Sequence, residues 1–326
     1  MPSSLSPVPC SLFPVPCSLF PSFGTSLADL SRHMATEIAE PRTSSQQEAL
    51  NRVAQNLVRI ERETGARALA VAVRDTETGA VLDYQADRWF HAASTIKVAI
   101  LAGVYAAIHE GRWPPYARLH VRNRFFSAAD GSVFRISAER DANAAVHGAI
   151  GKMLRIRELA HHMITTSSNL ATNLLLDLVG VETVQGVLDH YHVAGIDFRR
   201  GVEDERAFAA GIINRVTARG LTTLLHLIES EQVFSPALSR EMVDILHQQE
   251  FKNGIPARLP REARVAHKTG DISTIAHDAG IVYPPDRKPY IVAILSEWAP
   301  DTAGRSATIA RVSHEIYDAI LETPRG

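Results

Sequence analysis

Strand-like segments lie near both ends of this sequence, and a long region of helical pattern separates them. Two of them, Ala68–Val73 and Val81–Tyr84, flank the turn TETG. Further apolar or alternating runs follow only after the helical region, at Arg264–His267, Ala279–Val282 and Tyr290–Leu295. The helical pattern between them extends from Thr95 to about Ile228. We therefore predict an α+β protein whose sheet is assembled from distant segments, with a helical domain inserted in the middle.

Amphipathic helices bracket these elements. Leu50, Val53, Leu57 and Ile60 recur at helical spacing near the start, and Ser306–Leu321 forms a closing helix. The predicted folded domain spans residues 44–323. Its α/β part comprises about 44–93 and 233–323, and its helical part about 94–232. A cleft between the two parts is the natural place for a site.

The first 43 residues differ in composition from the rest. PVPCSLF occurs at 7–13 and again at 14–20, and its prolines forbid a helix. Both cysteines, Cys10 and Cys17, lie in this repeat, so the folded part cannot contain a disulfide. Three interpretations stay open: a disordered tail, an upstream extension with initiation at Met34, or an atypical export signal.

Charge and apolar runs exclude several partners. The formal net charge is −2 with both signs interspersed, which predicts no binding to nucleic acid or to an anionic membrane. The longest uncharged apolar run, Val98–Ile108, is far short of the ~20 residues that cross a bilayer. The adjacent His161 and His162 belong to no H-E-x-x-H or Cys/His set, so we expect neither metal nor cofactor.

One lysine stands at the head of an apolar stretch, WFHAASTIKVAIL at 89–101. Lys97 follows Ser94 by three residues, so on a helix the amine would lie on the same face as the hydroxyl. Burial would lower the pKa of the amine and let it accept the serine proton. Arginine could not do this, and the chain uses lysine here although it has 5 lysines against 29 arginines. The alternative is a surface lysine beside a helix-capping serine.

Two more polar groups stand out. Ser167 and Asn169 precede an apolar helical run, where a cluster of N-capping residues would explain the serines. Lys268, Thr269 and Gly270 end a strand, where a surface lysine would be unremarkable by itself.

Taken together, S-x-x-K, S-x-N and K-T-G in this order resemble the serine β-lactamase and penicillin-binding protein superfamily. The likeness is closest to class A β-lactamases and extends from about Ser44 to Leu321. It implies three layers, with an antiparallel sheet of about five strands between the terminal helices and the inserted helical domain. It also implies a small β-lactam or acyl-D-Ala-type substrate and a monomeric protein. The compartment stays open: periplasmic or secreted by resemblance, cytoplasmic if the chain starts at Met34.

The resemblance implies a role for each motif residue. Ser94 would be the acylated nucleophile, Lys97 would help remove its proton, and Ser167 would pass a proton to the leaving nitrogen. Asn169 would bind the amide side chain of the substrate. The substrate carboxylate would lie against Lys268 and Thr269, Gly270 would allow close approach, and the backbone N–H groups of Ser94 and Asp271 would form the oxyanion hole.

The sequence also departs from the family pattern. Ser168 replaces a buried carboxylate that usually braces the S-D-N loop, so we expect that bracing to come from elsewhere. In RRGVEDERAFAAGIINRVT at 199–217, Glu203 is the candidate for the deacylating glutamate, with Glu205 as second choice. Arg206 and Ala207 occupy the positions of the usual leucine and asparagine, and Asn214 occupies that of a salt-bridging aspartate.

The residues that acylation requires are all present in the sequence, whereas the loop that turnover requires departs from the family pattern. We expect a serine hydrolase of β-lactams that forms an acyl-enzyme. The alternatives are a penicillin-binding or peptidase-like protein that acylates with little turnover, and an esterase. His277 and Asp278 look like a catalytic pair, but neighbours in a strand point to opposite faces, so we expect structural hydrogen bonds there.

Overall fold

A computed structural model describes residues 45–114, 116–142 and 144–322. The predictions for residues 1–43 fall outside this part of the chain. None of the helices in the described ranges is long and apolar enough to cross a membrane.

The main elements within these ranges follow the predicted order, but six strands of two or three residues interrupt the region predicted to be helical. The helices are α1 (Ser45–Thr64), α2 (Lys97–His109), α3 (Ala144–Gly148), α4 (Ile156–Thr165), α5 (Asn169–Val179), α6 (Val181–His190), α7 (Glu205–Ala209), α8 (Ala218–Glu229), α9 (Pro236–His247) and α10 (Arg305–Leu321). The strands are β1 (Ala68–Asp75), β2 (Val81–Tyr84), β3 (Phe90–His91), β4 (Arg118–His120), β5 (Phe125–Phe126), β6 (Val133–Phe134), β7 (Met153–Arg155), β8 (Ile196–Asp197), β9 (Arg215–Val216), β10 (Arg264–Ile272), β11 (Ile275–Tyr283) and β12 (Tyr290–Glu297). Short 3₁₀ turns cover Ala93–Ile96 and Ile255–Arg258.

The main sheet has five strands in the order β10-β11-β12-β1-β2, and every pairing is antiparallel. The first strand of the chain pairs with the last, from Ala68 opposite Glu297 to Asp75 opposite Tyr290. This confirms the predicted antiparallel sheet of about five strands built from both ends of the sequence. The remaining strands form three small sheets, β3-β9-β8, β4-β7 and β5-β6.

Helices cover both faces of the main sheet, as the three-layer prediction requires. Alternate side chains of β1 point to opposite faces. Leu69, Val71 and Val73 belong to one buried cluster with α1 and α10, whereas Ala68, Ala70 and Ala72 belong to the cluster formed by the helical part. The four α1 residues at helical spacing are all buried, and α1 packs on α10.

Two elements place the site. Helix α2 is apolar all round, and its residues from Lys97 to Ile108 are buried, which is typical of a helix in the centre of a domain. Helix α9, which the sequence analysis did not identify, begins with Ser235 as its N-cap and Pro236 at its first position. It packs between α8 and β10, beside the edge of the main sheet.

Candidate active site

Ser94 lies where the sheet meets the helical part. It belongs to the 3₁₀ turn that leads into α2, as expected of a residue at the helix N-terminus, although the first turn is not α-helical. The preceding Ala93 has φ +45°, a conformation that few non-glycine residues adopt. Ser94 lines two adjoining clefts of about 370 Å³ and 680 Å³.

The amine of Lys97 is fully buried and has three hydrogen-bond partners. Nζ lies 2.6 Å from Ser167 O, 3.0 Å from Ser167 Oγ and 2.7 Å from Asn169 Oδ1. The expected bond to Ser94 Oγ is not among them, because the long side chain reaches across to these acceptors instead. Burial lowers the pKa of Lys97 well below its usual value, and the nearby Lys268 lowers it further. The alternative of a surface lysine is therefore wrong.

Ser167 lies between the two lysines of the site. It precedes α5 with φ +59°, and its Oγ is 3.0 Å from Lys97 Nζ and 3.1 Å from Lys268 Nζ. The next residue, Ser168, is the N-cap of α5 and accepts a hydrogen bond from Ala171 N. The capping interpretation thus holds for Ser168, whereas the Ser167 hydroxyl is directed to the lysines.

Lys268 is buried on the edge strand β10, so a surface position is excluded here too. Its Nζ also donates to Thr269 O at 2.9 Å. Burial lowers the pKa of Lys268 to about 7, and the carboxylate of Asp278 opposes that shift. The amine is therefore able to change protonation state near neutral pH.

Gly270 allows the edge strand to approach the nucleophile. A Cβ atom at this position would lie 3.2 Å from Ser94 N and 3.2 Å from the Ala93 side chain. Thr269, Gly270 and Asp271 all line the smaller cleft together with Ser94. The strand thus passes beside Ser94, as the predicted oxyanion hole requires.

Glu203 and Glu205 have different surroundings. Glu203 has φ +56°, lines the larger cleft, and its Oε1 accepts from Asn169 Nδ2 at 2.6 Å. Glu205 begins α7, its side chain is 77% exposed, and it pairs with Arg140 at 2.7 Å. Both glutamates line the larger cleft, but only Glu203 is hydrogen-bonded to a motif residue, Asn169, whereas Glu205 pairs with Arg140.

The loop 199–214 that carries Glu203 is closed without the usual ion pair. Asn214 Oδ1 accepts from the backbone N–H groups of Arg199 and Arg200, and Asn214 Nδ2 donates to Arg200 O. The buried carboxylate of Asp204 accepts from Ser127 Oγ and Ala128 N. An amide clamp and a buried aspartate thus fix the loop backbone around Glu203.

Comparison with known proteins identifies the chain. Its residues 49–320 match the family model described as the beta-lactamase enzyme family. The chain belongs to that family.

Individual relatives agree with this assignment. A beta-lactamase of Streptomyces fradiae is 28% identical over 284 residues, which cover 83% of this chain and 87% of the relative. A beta-lactamase of Bacteroides uniformis is 29% identical over 184 residues, but the alignment covers only 51% of this chain and 60% of that protein. The beta-lactamase ROB-1 of Haemophilus influenzae is 27% identical over 83% of this chain and 86% of its own length.

Solved structures show the same fold. An ancestral class A beta-lactamase superposes with a TM-score of 0.71 at 26% identity, over 82% of this chain and 99% of that one. PBP-A superposes with a TM-score of 0.69 at 26% identity, over 86% and 97%. This protein therefore has the class A beta-lactamase-like fold that the motifs predict.

A carboxylate that the family usually carries in the middle of S-D-N is supplied from another segment. Asp141 Oδ2 accepts from Ser168 Oγ at 3.1 Å and from Leu170 N at 2.9 Å, and it lies 3.2 Å from His147 Nε2. This confirms the expectation that the bracing comes from elsewhere, and the group that supplies it is the buried carboxylate of Asp141. Sequence spacing could not reveal this because Asp141 lies outside the motif.

Replacing Asp141 by alanine should destabilise the protein by about 1–3 kcal/mol, because it leaves a buried hydroxyl and a buried N–H without their acceptor. The same substitution at Asp130, whose exposed side chain pairs with Arg206, should cost less than about 1 kcal/mol. Urea denaturation of both variants measures the difference. Equal losses would remove the bracing role from Asp141.

Histidines near the site have structural partners. His277 Nε2 lies 3.1 Å from His91 O, and its Nδ1 accepts from Ser296 N; burial lowers the pKa of His277 to about 4, so the ring is neutral. Asp278 instead pairs with His267 at 2.8 Å. The prediction of separate structural roles for His277 and Asp278 is confirmed. In the described ranges, no three His, Cys, Asp or Glu side chains group as metal ligands would.

Proposed function

We propose that this protein hydrolyses β-lactams through an acyl intermediate on Ser94. The observation that carries the proposal is the buried amine of Lys97, which is hydrogen-bonded to Ser167 and Asn169, two residues that line the same cleft as Ser94. A buried amine with a lowered pKa can be neutral at neutral pH, and a neutral amine is a general base. Membership in the beta-lactamase family supports the same conclusion.

Acylation follows from the arrangement of the amines. Lys97 takes the proton of Ser94 as Oγ bonds to the lactam carbonyl carbon, which gives a tetrahedral oxyanion. When the carbon–nitrogen bond breaks, Ser167 gives its proton to the nitrogen and is reprotonated by Lys97, 3.0 Å away. The second amine on Ser167 Oγ, that of Lys268, favours release of the hydroxyl proton because its positive charge stabilises the developing alkoxide.

Binding uses the edge strand. The substrate carboxylate would lie against the Lys268 ammonium and the Thr269 hydroxyl, at the end of β10 that faces the cleft. The backbone N–H groups of Ser94 and Asp271 would receive the oxyanion, since Gly270 brings the strand next to Ser94. Asn169 would donate to the acyl amide.

Deacylation would use Glu203. Its carboxylate lines the larger cleft beside Ser94 and is oriented by Asn169 Nδ2. It would take a proton from a water that attacks the acyl carbonyl, and that proton would pass to Ser94 Oγ as it leaves, which restores the Glu203 carboxylate and leaves Lys97 neutral. The buried Ala207 stands where the family has an asparagine that helps to hold this water. We therefore infer slow turnover.

The second candidate is a penicillin-binding protein that is acylated but turns over little. The methyl group of Ala207 favours it, because a poorly held water would leave the acyl-enzyme intact. PBP-A, one of the similar structures, has been solved as an acyl-enzyme with penicillin G in a variant form.

A chromogenic cephalosporin separates the two functions. We expect a burst of colour followed by slow, sustained hydrolysis, and an intact mass that shows one acyl adduct at steady state. Ser94→Ala, the matched control, should show neither burst nor adduct. A stoichiometric burst without turnover would favour the binding protein, and no adduct on the unaltered protein would contradict the proposal.

A further inference from the structure

The side chain of Asp271 places a carboxylate close to the proposed oxyanion hole. Asp271 directly follows Gly270 on β10 and lines both clefts that contain Ser94. Its side chain is 57% exposed. The strand passes close to Ser94 N at Gly270. The backbone N–H of Asp271 would bind the oxyanion, so the same residue carries both that donor and a carboxylate.

A free negative charge here would oppose acylation. At an effective dielectric constant of about 20, two like charges within about 10 Å of each other repel enough to slow a reaction about tenfold or more. Burial raises the pKa of Asp271, and the Arg305 guanidinium opposes that shift. The repulsion would act on the oxyanion of the transition state and not on the neutral lactam carbonyl of the ground state, so it would slow acylation.

Arg305 is held beside that carboxylate by three contacts. Its Nη2 lies 3.0 Å from Asp271 Oδ1. Its Nη1 donates to Ile272 O at 2.6 Å and to Ser273 O at 2.7 Å, and the side chain is only 17% exposed. Three acceptors at the end of the β10–β11 hairpin therefore fix the guanidinium.

The position of Arg305 in its helix is unfavourable for a cation. Arg305 is the first residue of α10 and follows Gly304, which has φ +77°. Helix N-termini carry partial positive charge and favour anions, so helix stability does not explain an arginine there. The contacts of Arg305 with the β10–β11 hairpin explain an arginine at this position.

We propose that Arg305 neutralises Asp271 during acylation, so that the oxyanion forms beside an ion pair rather than beside a free carboxylate. Arg305 acts through Asp271 and is therefore a positioning residue. The inference rests on the proposed function, since it concerns the charge that develops when Ser94 is acylated.

Two substitutions separate the charge of Arg305 from its hydrogen bonds. Arg305→Gln keeps an N–H donor for the hairpin carbonyls and removes the charge, whereas Arg305→Lys keeps the charge and gives up part of the hydrogen bonding. The acylation rate with a chromogenic cephalosporin should fall about tenfold in Arg305→Gln and less than about threefold in Arg305→Lys. When Asp271→Asn is also present, Arg305→Gln should change the rate by less than about twofold.

The opposite pattern would overturn the proposal. If Arg305→Lys is as slow as Arg305→Gln, or if Asp271→Asn does not reduce the loss, Arg305 acts only as a clamp on the hairpin.

Phenylboronic acid gives a second readout, because its tetrahedral adduct on Ser94 is anionic whether or not β-lactams react. Its affinity should also fall about tenfold in Arg305→Gln and recover with Asp271→Asn. An unchanged affinity would overturn the proposal, and this pattern without β-lactam acylation would refute only the proposed function.

Discussion

Replacing Lys97 by arginine should lower the rate of Ser94 acylation by about 10³-fold or more, since positioned general-base catalysis contributes up to about 10⁴-fold. Arginine keeps the positive charge and similar bulk but does not deprotonate in proteins. Its planar group also cannot match the three acceptors that surround Nζ, which come from Ser167 and Asn169. Rapid mixing with a β-lactam, followed by quenching and intact mass, measures the rate directly.

The matched control is the same substitution at Lys152, an exposed residue outside both clefts. It should leave the acylation rate unchanged. A rate close to that of the unaltered protein in Lys97→Arg would show that the amine serves only as a charge, and the proton of Ser94 would need another acceptor.

The second large effect concerns breakdown of the acyl-enzyme. Glu203→Gln should extend its lifetime by about 10²–10⁴-fold while leaving its formation largely intact, because the amide cannot take a proton from water. Asn169 holds the carboxylate on the side of the cleft that contains Ser94. Single-turnover decay of the acyl adduct, followed by mass, gives the lifetime.

Glu205→Gln provides the comparison, since Glu205 is exposed and pairs with Arg140. Its acyl-enzyme should decay as fast as that of the unaltered protein. Equal lifetimes in the unaltered protein and both variants would remove both glutamates from the mechanism and favour the penicillin-binding function.

Much of the fold could be predicted from the sequence, because the spacing of apolar residues along a helix or strand follows from which of its faces is buried. The spacing of Leu50, Val53, Leu57 and Ile60 identified α1, and the apolar runs identified strands of the main sheet. Strand ends were less accessible: the strand predicted to end with K-T-G continues to Ile272, because Asp271 and Ile272 stay in the ladder with β11. Hydrogen bonds decide that extent, and an apolar pattern does not record them.

The site was only partly predictable. The order of the motifs predicted that Ser94, Lys97, Ser167 and Lys268 lie together. It did not predict which of their atoms form hydrogen bonds with one another. Glu203 differs from Glu205 in its hydrogen bond from Asn169, and the residue types in EDE do not signal that tertiary contact. The bracing by Asp141 depends on tertiary contact between separate segments, which residue spacing does not encode.

The pairing of β1 with β12 also has a consequence for how the protein is made. Synthesis proceeds from the N-terminus at about 5–20 residues per second, so Ser94 and Lys97 leave the ribosome roughly ten seconds or more before Lys268. Until β12 emerges, β1 has only β2 as a partner in the main sheet, and its other edge is open to unwanted pairing. Contacts of such long sequence separation slow folding. Cleavage of the chain between α2 and β10 would separate Lys97 from Lys268. Neither fragment would then contain both of the lysines that contact Ser167.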